Sequence, residues 1–255
     1  MRPRQLDLGF LMLSTVQLLR LRRLGSALLW VSLVNAYGLD CGWADDRRAD
    51  SARLVIMTFN AEFLWDGVDP EEGASDVTFP WKGRPDEARD HMRAVADIVI
   101  QENPDIVNLV EVENLTALTT FNNNFLATRG YKPYLITGRD THTGEDVALL
   151  TRIDPEGNEI RRDDRKGVSG AVERSVSKHY IARINVGELK VSFIGLHLLA
   201  IPSHSGRRFE RQAQAEAIRS MAVDEQGAGR LLIVWGDFND YDGADDARDH
   251  LDSAP

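Results

Sequence analysis

From Leu54 onward, short apolar runs alternate with stretches of helical period, and polar residues fall at the ends of the runs rather than within them. Residues 54–59 form a run of β-formers and predict a buried strand. Residues 105–110, 147–151, 180–186, 191–196 and 231–235 read as further strands. Over 86–102 the period changes: Ala88, Met92, Val95 and Val99 share one face, Asp86 and Glu87 lie in the first turn, and Pro104 follows the end, so a helix is predicted. Phe209, Ala213, Ala217 and Met221 mark one face of a second helix. Residues 66–85, rich in Gly, Pro and acids, read as a long loop. There is no internal repeat. Strands with helices inserted between them predict an α/β or α+β class in which helices cover sheets.

Residues 1–44 follow a different pattern. Arg20, Arg22 and Arg23 precede an apolar run from Leu24 to Leu39, broken only by Gly25, Ser26, Ser32, Asn35 and Gly38, and Gly42-Trp43-Ala44 follows. Basic, then apolar, then small is the order of a secretory signal peptide. Cleavage after Ala44 is expected, with a secreted or periplasmic product. The alternative is an uncleaved N-terminal anchor, for which the run is short of the roughly 20 residues a span needs. Residues 45–53 then read as a loose linker and 54–255 as the folded domain.

Composition narrows the chemistry. The 255 residues are 43% hydrophobic and 27% charged, which excludes a disordered chain, and the net charge is -10. A protein this acidic does not hold nucleic acid by bulk charge; any phosphate it handles needs a local device such as a metal ion. Cys41 is the single cysteine, so an intrachain disulfide and Cys-based zinc sites are excluded. No segment points to a stable protein partner.

The candidate chemistry lies where strands end. The first run ends in Asn60, the second in Glu111, the run from Val191 in His197, and the run from Leu231 in Gly236-Asp237-Phe238-Asn239-Asp240. Rigid sheets deliver side chains to such ends and the loops leave room for a ligand. Carboxylates, amides and an imidazole together suit a hard cation and a phosphate, since magnesium needs only one or two protein carboxylates beside substrate oxygens. Taken singly, each has a plain structural use: Asn60 in a turn, Glu111 opening a helix with residues 112–114, His197 at an edge, and 237–240 as a turn. His91, His142, His179, His204 and His250 read as surface or loop histidines. Asn114-Leu115-Thr116 fits a glycosylation acceptor.

At these same positions the sequence resembles the endonuclease/exonuclease/phosphatase superfamily, which includes pancreatic deoxyribonuclease, abasic-site endonucleases, bacterial sphingomyelinases and inositol polyphosphate phosphatases. The matching segments are MTFNAEFLW at 57–65, NPDIVNLVEVEN at 103–114, GEDVALLTR at 144–152, FIGLHLLA at 193–200 and WGDFND at 235–240. The resemblance implies a four-layer α/β sandwich, with two mixed sheets packed face to face and helices outside. It implies metal-dependent phosphoester hydrolysis with Mg2+, or Mn2+ or Ca2+. Glu111 resembles the family's metal-binding glutamate, and Asn60 the asparagine near metal and phosphate. His197 resembles the phosphate-contacting histidine, and Asp237 and Asn239 the pair that orients the nucleophile and contacts phosphate. A nucleic acid is the expected substrate; a phosphorylated lipid or inositol is the alternative, and an inactive chain retaining metal or phosphate binding is a third. Two departures stand out. Val110 replaces the glutamine that usually precedes the glutamate. The family's water-activating histidine, paired with an aspartate, lies well beyond the GDFN segment, and Asp249-His250 comes too early to match it. The resemblance therefore implies a chain that stops before the last strands, with a sheet edge or apolar face uncovered and weak or no activity.

Overall fold

A computed structural model describes residues 12–13, 17–22, 45–68, 81–139, 144–201 and 204–240. The elements in chain order are β1 (Met12–Leu13), β2 (Gln17–Arg22), β3 (Arg53–Leu64), α1 (Pro85–Glu102), β4 (Ile106–Val112), α2 (Leu115–Phe125), β5 (Lys132–Leu135), β6 (Asp146–Thr151), a 3-10 turn (Glu156–Asn158), β7 (Lys166–Ser169), β8 (Val172–Ser175), β9 (Lys178–Val186), β10 (Leu189–His197), α3 (Ser205–Gly227) and β11 (Leu231–Asp237).

Two sheets carry the architecture. The first runs β2-β3-β4-β6-β5 and the second β1-β11-β10-β9; β7 and β8 form a separate hairpin. Both sheets are mixed: β3 and β4 are parallel while β4 and β6 are antiparallel, and β10 runs parallel to β11 but antiparallel to β9. Strand alternation sorts each strand's residues between two cores. Ile56, Ile106, Leu149, Tyr180, Phe193 and Trp235 fill the space between the sheets. Met57, Leu109 and Leu150 turn the other way, onto Met92, Val95 and Val99 of α1 and Phe121 of α2. Ile194, Leu196 and Val234 meet Ile218 and Met221 of α3. The layer order is helices, first sheet, second sheet, helix, as the resemblance implies.

Local chemistry explains the helix ends. Pro85 opens α1 with Asp86 and Glu87 in its first turn, and Asn103 closes it in the left-handed region at φ 47°, its N–H donating to Val99 O at 2.9 Å. Asn114, the residue that matches a glycosylation pattern, caps α2 by accepting the Ala117 N–H at 2.8 Å. α2 is the helix that residues 112–114 lead into, whereas the β7–β8 hairpin does not stand out in the sequence. The hairpin's residues are mostly polar because only one side of it meets α3, with Lys166–Glu173 and Arg174–Glu210 ion pairs at 3.0 Å each on its exposed parts.

Within residues 1–44, β2 lies antiparallel along β3 and β1 pairs with Val234 and Trp235 of β11. Open strand edges carry unpaired N–H and C=O groups, and an extended segment satisfies them. Within the 45–53 segment, Arg47 is tied to the domain: it donates from its backbone to Arg152 O at 2.8 Å and from its side chain to Asp154 Oδ1 at 2.6 Å. His179 is buried rather than superficial, its ring nitrogens engaged by Val176 O and the Asp163 N–H. His142, His250, the Ala44 junction and residues 241–255 lie outside the described residues. Among the described residues no helix is long and apolar enough to cross a membrane.

Candidate active site at the strand ends

Six chain positions share one address. Asn60 on β3, Glu111 on β4, Glu145 just before β6, Lys178 on β9, His197 on β10 and Asp237 on β11 all lie at one end of the two sheets. All but Glu111 continue their strand's alternation onto the face between the sheets. Glu111 reaches that face by a different device. Regular alternation would send it toward α1 and α2. Instead the β4–β6 register shifts between Val110 and Val112, and Glu111 sits in the left-handed region at φ 64°. This β-bulge turns its carboxylate inward.

Hydrogen bonds tie the groups together. Asn60 Nδ2 donates to Glu111 Oε1 at 2.9 Å and to Asp237 Oδ2 at 3.3 Å, joining the two sheets. The other oxygen of Asp237 accepts the Asn239 N–H at 2.8 Å, and Asn239 Nδ2 donates to Leu198 O at 3.0 Å. Asn60 Oδ1 accepts the Glu62 N–H at 3.0 Å, which sets the amide so that its Nδ2 faces both carboxylates. Donor atoms of Glu111, Glu145 and His197 lie within 4.8 Å of one another. Lys178 Nζ stands 3.7 Å from Glu145 Oε2, and both side chains are buried.

Backbone strain concentrates here. Glu62, Phe63, Glu111 and Asn239 all have positive φ, and such non-glycine residues cost on the order of 1–3 kcal/mol each unless the surroundings impose them. The surroundings of the β3 bulge are visible. Trp81 Nε1 donates to Phe63 O at 3.1 Å, His91 Nε2 lies 2.7 Å from Ala61 O, and the two rings stack with centroids 5.0 Å apart. Gly236 meets a similar demand: its φ is 130°, and a Cβ there would lie 2.0 Å from Leu196 O. Gly236→Ala is expected to cost at least about 1–3 kcal/mol of stability from the backbone alone, with Asp237 displaced as well. Urea unfolding of the variant checks the first effect, and an unchanged midpoint would contradict it.

The electrostatics ask for a cation. Burial pushes the Glu111 carboxyl above its ordinary range, and the charges of Asp237 and Glu62 add to the push, against the Asn60 hydrogen bond and Lys178. Glu111, Glu145, Asp237 and, nearby, Glu62 bring carboxylates against the single ammonium of Lys178, so acids outnumber bases in this described cluster. Carboxylate oxygens are donors that suit a hard divalent cation.

Of the residues singled out in the sequence, Asn60, Glu111, His197, Asp237 and Asn239 come together at this end of the sheets. Val110, where the family has glutamine, packs in the apolar space between them. Glu145 and Lys178 were missed. Their signal was parity: each lies two residues from a core-facing position of a predicted strand, Val147 and Tyr180 respectively.

The sequence profile of the Endonuclease/Exonuclease/phosphatase family matches residues 57–254, and the chain belongs to this family. No curated protein matches it in sequence. Among solved structures it is similar to truncated Caenorhabditis elegans TDP2, with 20% identity over 72% of this chain and 61% of that one, TM-score 0.42. The human Nocturnin catalytic domain with bound sulfate gives 18% identity over 78% and 68%, TM-score 0.46. The Bacteroides thetaiotaomicron mannosyl-6-phosphatase Bt3783 gives 17% over 73% and 65%, TM-score 0.46. The chain spans between about half and two thirds of the length of the TDP2 chains it matches, 54% and 61% in the two C. elegans structures.

Proposed function

We propose that this protein is an exported, metal-assisted phosphodiesterase acting on nucleic acid. One observation carries the proposal: carboxylates, an amide, an imidazole and an ammonium from both sheets meet at a single point, with Asn60 bonded to an acid of each sheet. Glu111, with Glu145 beside it, would hold the cation, which when bound supplies Lewis-acid stabilisation of charge on phosphate oxygens. Lys178 and His197 would donate to those oxygens, one as a fixed charge and the other as an imidazole N–H. Asp237 has both oxygens directed by N–H donors, so it is fit to orient an attacking water, with Asn239 fixing the loop against Leu198. Asn60 keeps the acids of the two sheets at a set separation.

A polyanion is favoured over a small monoester by basic groups around the site. The Arg139 N–H donates to Ser177 O, next to Lys178, and Arg162 reaches Thr137 O beside it. Across the site Arg207 reaches Ala200 O, on the loop that follows His197. Arg139 and Arg162 are themselves paired with Asp164, and a nucleic acid backbone extending beyond the cleaved phosphate would compete for them. The chain's acidity disfavours an anionic membrane surface. The test is hydrolysis of duplex DNA, single-stranded DNA, RNA, sphingomyelin vesicles and inositol phosphates, each with Mg2+, Mn2+, Ca2+ or chelator. DNA or RNA cleavage that stops with chelator supports the proposal; cleavage of lipid or inositol phosphates alone contradicts it. Export is tested separately, by N-terminal sequencing of protein from its own host. A start near Asp45 is expected, which would remove β1 and β2 and leave the edges of β3 and β11 open, and an intact Met1 contradicts it.

A further inference from the structure

Beneath the strand-end groups lies a second polar layer that this chemistry does not use. Thr58, Asn108 and Tyr180 are almost wholly buried in a space otherwise filled by Ile, Leu, Val, Phe and Trp. They form one hydrogen-bonded chain. Tyr180 Oη donates to Asn108 Oδ1 at 2.9 Å, and Asn108 Nδ2 donates to Thr58 Oγ1 at 3.0 Å. Burial pushes the Tyr180 phenol well above its ordinary range, so it stays a donor.

The layer's position is systematic. Thr58 lies one same-face step below Asn60 on β3, and Tyr180 one step below Lys178 on β9. Asn108 lies below Glu111 on β4, with the bulge adding one residue. Gly195 lies one step below His197 on β10, and its missing side chain is what admits the chain. A Cβ at Gly195 would come within 2.2 Å of Tyr180 Cε1 and 2.5 Å of Asn108 Oδ1. A glycine inside a strand marks such a close approach.

Stability alone does not account for these residues. A buried hydrogen bond returns little net free energy, and apolar residues of the same shape would fill the space about as well. Directionality is what they add. Asn108 belongs to the first sheet and Tyr180 to the second, so their bond fixes how the sheets sit against each other, which apolar packing leaves looser. The site above needs that, because Asn60 and Glu111 come from one sheet and Lys178, His197 and Asp237 from the other. Misplacing such groups by about 1 Å costs about a hundredfold in rate.

We infer that the Thr58–Asn108–Tyr180 chain is a positioning device that registers the acids of the first sheet against the phosphate-handling groups of the second. Its kinetic consequences rest on the phosphodiesterase proposal; its consequences for cation binding do not. The experiment compares Tyr180→Phe, Thr58→Val and Thr58→Ser in the full chain, reading kcat, KM, Mn2+ affinity by calorimetry and urea unfolding. Tyr180→Phe and Thr58→Val should each lower kcat about tenfold with KM within about twofold, weaken Mn2+ binding several-fold, and leave unfolding cooperative. Thr58→Ser keeps the hydroxyl and should behave as the native chain, and the Tyr180→Phe, Thr58→Val double variant should be little worse than either single one. The inference is overturned if the variants lose only stability, with kcat and Mn2+ affinity intact, or if Thr58→Ser is as impaired as Thr58→Val. A native chain that binds Mn2+ but cleaves no phosphodiester defeats the functional proposal alone, and the Mn2+ affinities of the variants still decide this one. A native chain that binds no Mn2+ overturns both.

Discussion

Glu111→Gln is expected to lower phosphodiester hydrolysis about a thousandfold or more while leaving the metal-free protein as stable as the native chain, or more so. The two effects come from the same cause. Glu111 is partly desolvated and faces Asp237 and Glu62, which raises its folded-state pKa above the ordinary value. For an acid with a raised folded pKa, the charged form is the one the fold disfavours, so stability is lost as pH rises through that pKa. Glutamine has no charge to lose, and its Oε1 can still accept the Asn60 N–H. Removing the charge therefore relieves the metal-free fold. It also removes the carboxylate that best holds a cation, whose stabilisation of developing charge is worth several kcal/mol, each 1.36 kcal/mol being about a factor of ten in rate. Thermal unfolding with chelator, beside hydrolysis with Mg2+, measures both. A large loss of stability without restored activity would mark Glu111 as a structural residue.

A second large effect is expected far from the site, at Glu225 on α3. Its carboxylate is 1% exposed. Arg183 donates to it from Nε and Nη2 at 2.9 Å each, Ser192 Oγ donates at 2.6 Å, and Arg161 adds a further contact. Ser192 is itself held by Arg230 Nε at 2.9 Å. Although burial works against the charge, these donors win and bring the Glu225 pKa down to about 2. For an acid with a depressed folded pKa, stability is fully present above the unfolded value near 4.5 and is lost as pH falls toward 2. The shift corresponds to about 3 kcal/mol. Removing one partner of a buried pair costs about 3–5 kcal/mol, and the lower end applies because the arginines are partly hydrated. Glu225→Gln should therefore cost about 2–3 kcal/mol at pH 7, a gap that narrows as pH falls below about 4.5. Urea unfolding at pH 7 and at pH 3 measures it; an equal gap at both would contradict the charge-based account.

Much of this arrangement could be read in the sequence because period-2 alternation carries its own address. Asn60, His197 and Asp237 each end an apolar run, and the sheets deliver them to one end. Glu111 was found for a reason the sequence does not contain. It also ends a run, but only the bulge at its own φ of 64° brings it inward, and the bulge is set by pairing with β6. Glu145 and Lys178 stand at strand beginnings, where antiparallel neighbours place the start of one strand beside the end of the next. A search confined to run ends passes over them. The β7–β8 hairpin escaped because it buries one side against α3 and otherwise satisfies its charges in ion pairs. The attachment of Arg47 left no sign in the sequence because it is made through polar contacts to distant residues, which leave no hydrophobic pattern.

The central claim is that Glu111 and Glu145 hold one divalent cation and that the site, with Asp237 from the other sheet, uses it on a phosphodiester. The most direct measurement is calorimetric titration of the chelator-treated chain with Mn2+, for the native protein and for Glu111→Gln and Asp237→Asn, alongside cleavage of a DNA oligonucleotide at each metal concentration. The account predicts one Mn2+ per chain, cleavage that rises in step with its occupancy, and loss of both in Glu111→Gln. Cleavage that proceeds at full rate with chelator present, or Mn2+ binding untouched by the loss of Glu111, would contradict it.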